Sequence, residues 1–419
     1  MAIDLELPND LLVKILSFLP TKVAVSTRIL SKQWEYYSES EYKRLKCFLD
    51  RNLPLHRAQV IESFRLGFYY PHFEPGDIRL WVLTVVSRYI RELDIFYVNY
   101  KNKQDILPSN LYTCKTLVTL KLRRRILVDV PRVVCLPCLK TLHLQDVRYS
   151  SEDSLQRLLS NCSVLEDLLV KGCEDDNMRK FIVIVPSLKR LKLDTLYDLE
   201  EIVIHTPCLE YLKLDYYSCK SHHYLIENMP KLREASLDVI SPVLERLIGS
   251  ITSVKRLTLC TEDYCLEGMY NGDDFVFNQL EHLKVCKWDA YALNMLVRFL
   301  KYSPKLRVLD FVEMDEHGQS DVIFWNQPST VPECMLSSLQ AFKFSGYLGR
   351  PEERDLAIYI LKNARCLKTA TILSKDHLFE KNPNMIQELA LSPRASTECQ
   401  LVFDDLLSTS KLCVKTLVG

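Results

Sequence analysis

The most regular feature of the chain is a spacing of apolar residues: apolar, two residues, apolar, one residue, apolar. Clear copies are Leu117/Leu120/Leu122, Leu139/Leu142/Leu144, Leu188/Leu191/Leu193, Leu209/Leu212/Leu214 and Leu280/Leu283/Val285, with Val254/Leu257/Leu259 and Leu306/Leu309/Phe311 close to them. Weaker copies begin at Ile61, Ile90, Leu165, Leu232, Leu339 and Leu367, making thirteen starts in all. The last two apolar positions alternate with polar neighbours, so they share one face of a short strand. One such strand cannot bury its face alone; stacked parallel copies make a continuous core and leave the opposite face in solvent. Pro137, Pro186, Pro207, Pro230 and Pro304 each stand two residues before a first Leu, where proline ends the preceding segment and favours an extended entry. The longer gaps between starts contain helical stretches at 154–159 and 292–300. The shortest ones, such as Leu188 to Leu209, are expected to cross back on extended or 3₁₀ segments.

Most of these gaps fall in the window of roughly 20–29 residues typical of a leucine-rich repeat. The regular Asn that usually follows the strand is missing, so the array is an irregular one. The third and fifth positions point away from the core, and ten of the copies supply candidates. They are Thr119/Lys121, Thr141/His143, Asp167/Leu169, Arg190/Lys192, Tyr211/Lys213, Glu234/Ser236, Arg256/Thr258, His282/Lys284, Val308/Asp310 and Ala341/Lys343. Arg190, Lys192, Lys213, Arg256 and Lys284 would form a basic stripe suited to an acidic or phosphorylated segment, the alternative being a solvated charged face.

Overall charge is balanced, with Lys+Arg 54 against Asp+Glu 54 in 419 residues, so nothing marks a general nucleic-acid or membrane binder. Hydrophobic residues at 47% argue for a folded chain with ample core. Only 10 glycines occur, without G-x-G-x-x-G or Gly-Lys-Ser/Thr, which leaves phosphate-cradling loops unsupported. The acidic opening Met1–Glu6 is unlike a secretory leader, and the 15 scattered cysteines are expected to be reduced thiols of a cytosolic or nuclear protein. Cys135-Leu136-Pro137-Cys138 is a lone C-x-x-C without a second ligand pair; together with Cys260 and Cys265 it is expected to pack as core thiols. His222-His223 near Cys219 has no metal-binding spacing, and Arg123-Arg124-Arg125 is either a solvated turn or a nuclear import or phosphate contact. No hydrolase constellation can be assembled; no metal and no cofactor are expected.

Residues 1–40 depart from the repeat. Leu11, Leu12, Ile15, Leu16 and Leu19 form a helical stripe between Pro8 and Pro20, and a second segment carries Val23, Val25, Leu30 and Trp34. So small an apolar unit must bury its stripe on the repeats or on another protein. The run Leu7-Pro8-Asn9-Asp10-Leu11-Leu12, continuing to Leu19-Pro20 and the late Ser31-Lys32-Gln33-Trp34, resembles an F-box, with Arg28 and Gln33 as small departures. Near the other end, 339–349 and the helical 352–364, followed by Leu367–Ile372 and Ser392-Pro393-Arg394, resemble the FBD module of plant F-box/leucine-rich-repeat proteins.

The resemblance implies an α/β fold: an N-terminal helical F-box (1–45), then an irregular leucine-rich-repeat solenoid (46–330). This solenoid would have a parallel sheet on one face and helices and extended segments on the other. An FBD module continuing it (331–405) and a C-terminal tail (406–419) would follow. It implies a non-catalytic receptor subunit of a Skp–cullin–F-box ubiquitin ligase, acting in the cytoplasm or nucleus. Leu7, Pro8, Leu11, Leu12, Ile15, Leu16, Leu19, Pro20, Leu30 and Trp34 would then bind the Skp-type adaptor and, through it, a cullin. Some of the ten must pack the F-box itself. The repeats would hold an unidentified target protein through Arg190, Lys192, Tyr211, Lys213, Arg256, His282 and Lys284. The alternatives are a scaffold outside any ligase and a sensor holding a small anionic ligand in a basic, aromatic pocket.

Overall fold

A computed structural model describes residues 39–55, 61–68, 73–97, 107–172, 178–195, 199–216, 223–262, 275–286, 290–312, 325, 327–374, 383–405 and 412–414. The chain divides into two compact units, Met1–Thr206 with His222–Leu225, and Pro207–Ser221 with Ile226–Gly419.

The first unit opens with α1 (Glu39–Leu55) and α2 (Pro75–Val86) around β1 (Ser63–Phe68). Strands β2 (Glu92–Tyr97), β3 (Thr119–Arg123), β4 (Leu127–Val128), β5 (Thr141–Gln145) and β6 (Arg148–Tyr149) follow. After α3 (Ser154–Leu159) come β7 (Asp167–Lys171), β8 (Lys180–Ile184), β9 (Arg190–Thr195) and β10 (Glu201–His205). The main sheet is parallel, in the order β1-β2-β3-β5-β7-β9, each strand paired residue for residue with the next. The chain crosses behind it on α2, on a 3₁₀ turn at Ser109–Thr113, on α3, and on the parallel pairs β4–β6 and β8–β10.

The second unit begins with β11 (Tyr211–Tyr216). Strand β12 (His223–Ile226), whose first three residues belong to the first unit, lies beside β10 there. The second unit continues with β13 (Glu234–Ile240), α4 (Ser241–Leu247), β14 (Arg256–Glu262), β15 (His282–Cys286), α5 (Ala290–Tyr302) and β16 (Val308–Val312). Then come α6 (Glu333–Ser337), β17 (Ala341–Tyr347), α7 (Pro351–Asn363), β18 (Thr369–Ser374), α8 (Pro383–Ala390), β19 (Gln400–Asp405) and β20 (Leu412–Val414). Strands β11 and β13 to β19 pair in parallel in that order, and β20 closes the edge antiparallel to β19. Helices α5 and α7 back this sheet, with Phe299 packed 5.2 Å from Phe277 and 5.5 Å from Phe275.

Each of the thirteen repeat starts is followed two residues later by a strand, and the apolar positions are the core. Leu117, Leu120, Leu122, Leu139, Leu142 and Leu144 are fully buried, as are Leu280, Leu283, Leu306, Leu309 and Phe311. Burial of each such side chain contributes about 1.5–3 kcal/mol before ordering costs. Among the described residues the short gaps cross on strands or turns, with one exception. The short gap from Leu232 to Val254 holds α4 and a 3₁₀ turn, Ile248–Ile251, because β13 runs straight into a helix opened by Pro242.

The missing Asn has a substitute. Thr116, Ser187, Ser253 and Ser338 each stand just before a first Leu or Val. Their hydroxyls donate to the carbonyls of Ile90 (2.9 Å), Leu165 (2.8 Å), Leu232 (3.2 Å) and Leu306 (2.8 Å), the first apolar residue of the preceding turn. These half-buried hydroxyls satisfy carbonyls that enter a parallel ladder obliquely.

Candidate protein-binding surfaces

Two surfaces are expected to meet other proteins: the apolar F-box stripe and the outward face of the sheet. All ten residues assigned to the adaptor, Leu7 to Trp34, lie outside the described residues. The described part begins at α1, which is bound to the first turn. Lys46 pairs with Asp77, Trp81 Nε1 donates to Asp50 Oδ1 at 2.8 Å, and Arg88 donates to the Pro54 carbonyl at 2.6 Å. Leu49, Leu53 and Trp81 are buried, and Phe73 meets Trp81 edge-on at 5.4 Å. The hydrogen bond from Lys46 to Asp77 holds the ammonium above the usual lysine range.

On the first unit's outward face, neighbouring strands answer one another's charges. Arg65 faces Glu92 (3.5 Å), Arg123 reaches Asp94 (2.6 Å) and lies over the Phe96 ring, and Lys171 pairs with Asp194 (2.7 Å). Asp167 stands between His143 (3.4 Å) and Arg190 (3.7 Å). Burial pushes the Asp167 carboxyl up, but His143, Arg190 and Lys192 outweigh it and hold the group below its usual value. In the second unit Arg256 faces Glu234 (3.4 Å), Lys213 reaches Asp215 (2.6 Å), and His282 contacts Asp310 (2.8 Å). Lys284 lies in register with Thr258 and Asp310, and Lys343 with Asp310 and Thr371. The stripe of cations is thus interleaved with carboxylates. Sequence reasoning counted the third and fifth positions only, yet β9, β11 and β13 run on to a seventh, where Asp194, Asp215 and Asp238 stand.

Comparison with known proteins follows the same order along the chain. The F-box domain model matches residues 5–46, the repeat model described as "FBD-associated F-box protein At5g56370, LRR repeats" matches 78–247, and the FBD model matches 327–372. The chain is 57% identical over 412 residues to FBD-associated F-box protein At4g10400 of Arabidopsis thaliana, covering 95% of this chain and 98% of that protein. The chain belongs to the plant FBD-associated F-box protein family. FBD-associated F-box protein At5g38590 of the same plant is 48% identical over 403 residues, covering 91% and 96%. F-box protein At4g09920, also of Arabidopsis thaliana, is 56% identical over 305 residues, covering 68% and 94%. An F-box protein of this kind is a substrate adaptor, and its F-box is a domain for binding a Skp-type protein.

In this F-box protein the FBD segment is built around one buried carboxylate. Glu353 on the first turn of α7 accepts the backbone N–H groups of Leu348 (2.8 Å) and Arg350 (3.3 Å). That clamp fixes a loop whose Gly346 and Gly349 have φ of 84° and 76°. A side chain on Gly349 would also strike Met385 of α8. Tyr347, buried beside Glu353, has its phenol pushed upward, by burial first and by Glu353 next. A cavity of about 410 Å³ lies at the strand entries of the same segment, with Arg365, Lys368, Ser396 and Glu398 in its lining but no aromatic ring.

The cysteine expectations need correction. Cys135 and Cys138 are exposed rather than core thiols, because Leu136 and Leu139 fill the buried positions of that turn. Cys260 is buried as expected, but it is paired with Cys286 as a disulfide rather than standing as a single thiol; both occupy the seventh position of adjacent turns. Cys265, Cys219 and His222 lie outside the described residues, and His223 lies 3.7 Å from Glu201. Among the described residues no His, Cys, Asp or Glu cluster could hold a metal ion. The arginine triplet is a tied turn: Arg124 pairs with Asp146 (3.1 Å), and the N–H groups of Arg124 and Arg125 donate to Gln145 and Asp146.

Proposed function

We propose that this F-box protein is the substrate-recognition subunit of a Skp–cullin–F-box ubiquitin ligase. In this reading the stripe Leu7–Trp34 docks on the Skp-type adaptor and through it on a cullin. The outward sheet face holds the target, and ubiquitin transfer is accelerated by proximity rather than by a group of this chain. The observation that supports it best is the anchored helix α1. The F-box match ends at residue 46, within a helix that is bonded to the first repeat through Lys46, Asp50 and Trp81. A short tie of this kind suits a receptor that must present its cargo at a set distance. Arg190 and Lys192 of the first unit and Tyr211, Lys213, Arg256, His282 and Lys284 of the second are the proposed target contacts, each exposed or half-buried on the outward face of its own unit. The site of action in this reading is the cytoplasm or nucleus.

The test is a trap in plant cells. A Leu11→Ala plus Ile15→Ala variant loses the adaptor but keeps its repeats, so true targets should accumulate on it and lose their ubiquitin. Targets that are ubiquitinated equally in the presence of the variant as sole copy would contradict the proposal.

A further inference from the structure

We propose that Cys260 and Cys286 are a reversible dithiol–disulfide pair, a redox modification site that ties two adjacent turns of the second unit's outward face. The pair is a product of the repeat. Both residues occupy the seventh position of consecutive turns, 26 residues apart, so the parallel register of β14 and β15 sets them side by side. Their Cα atoms are 4.6 Å apart, inside the range of about 4.4–6.8 Å that a disulfide spans.

What distinguishes them from the other described cysteines is that each has the other beside it. Cys162 and Cys334 are buried singly, each bonded to a backbone carbonyl, and burial pushes both thiols up to about 12, where almost no thiolate forms. Cys135 and Cys138 form a sequence motif but are free and exposed. Cys260 and Cys286 are only 7% and 3% exposed, so the outward row narrows to a covered sulfur pair here. Asp238 and Val312 flank them in register, and Thr258 and Lys284 precede them on the same face.

The chemistry is thiol–disulfide exchange with a small disulfide such as oxidised glutathione. When the two turns open locally, one exposed thiolate attacks it and releases one glutathione thiol. The second cysteine then attacks the mixed disulfide and releases the other, so two protein thiols become one S–S bond and the small disulfide becomes two thiols. A dithiol reductant reverses both steps. Oxidation closes a loop between two turns and suppresses their separate opening, which holds Arg256, Thr258, His282 and Lys284 in one arrangement.

The full chain should be equilibrated at graded ratios of reduced to oxidised glutathione, acid-quenched, alkylated and analysed by peptide mass spectrometry. A Cys260–Cys286 cross-linked peptide should grow with oxidised glutathione, vanish on return to dithiothreitol, and be absent from Cys260→Ser and Cys286→Ser. Amides of β14 and β15 should exchange about tenfold more slowly in the oxidised protein, and not in either variant. Both cysteines remaining alkylatable at every ratio, or carrying only glutathione adducts, would overturn the proposal, as would equal exchange in the two redox states. No target takes part in this measurement, so its outcome is separable from that of the ligase reading.

Discussion

The two units solve the same problem with different backing layers. In the first, the gaps from Leu117 to Leu139, Leu165 to Leu188 and Leu188 to Leu209 hold the short strands β4, β8 and β10. In the second, the longer gaps from Leu280 to Leu306, Leu306 to Leu339 and Leu339 to Leu367 accommodate α5, α6 and α7. A parallel strand needs a crossover, and the length of chain available decides what that crossover is made of. The outward faces differ too. The first unit's face is a lattice of ion pairs, while the rows of β16, β17 and β18 carry Val308, Ala341, Thr369 and Thr371 beside Asp310 and Lys343.

The comparison should break first at the core. Leu142→Ala in the strand-backed unit should cost about 2–5 kcal/mol and Phe344→Ala in the helix-backed unit about 3–5 kcal/mol, measured by urea unfolding. Thr258→Ala on the outward face should stay within about 0.5 kcal/mol. A like cost for inward and outward positions would end the two-faced account of the sheet.

Next comes the buried carboxylate that has no counterpart at α2 of the first unit. The cap residue of that helix, Glu74, makes no side-chain cap bond. Glu353→Ala should lose about 1–3 kcal/mol because it strands the Leu348 and Arg350 N–H groups, whereas Asp355→Ala should lose little. Thermal melts of the pair settle this.

The hydroxyl bonds between turns occur in both units, and they sharpen what the units share. Ser187→Ala and Ser338→Ala should each cost about 1 kcal/mol, with Lys305→Ala as the silent control, by the same melts.

The faces can be compared by charge reversal. Lys284→Glu with Lys343→Glu should weaken target capture more than Arg190→Glu with Lys192→Glu, because Asp167 pairs with Arg190 whereas Asp310, in register with the former pair, contacts His282. Unchanged capture in both would remove the proposed target face.

The smallest effect is electrostatic. Asp167 is held below its ordinary value in the folded chain, so its contribution is full above about pH 3.9 and fades as pH falls toward the folded value. Asp167→Asn should flatten that part of the acid-unfolding curve.

Much of this fold was legible because a repeat announces itself by spacing. Each strand from β1 to β18 of the main ladder began where its first Leu, Ile or Val placed it. Strand β19 escaped because its first position is Glu398, with only Leu401 and Phe403 keeping the pattern. Helix α2 was available in the spacing of Ile78, Trp81, Val82, Val85 and Val86 but was hidden between two weak repeats. The charges of the outward face were harder to read. Whether Arg190 or Lys213 is answered depends on which residues stand across the ladder and how far each strand runs, and neither follows from one turn alone. The cysteine pair shows the same gap, since only the register brings Cys260 and Cys286 to one spot.

The most direct test of the central claim is adaptor binding by the full chain. Mixed with a Skp-type adaptor and run on a sizing column, the native chain should elute as an equimolar complex. Leu11→Ala plus Ile15→Ala should abolish it while leaving the thermal unfolding of the repeats unchanged. A native chain that never retains the adaptor, or a variant that retains it equally, would contradict the account.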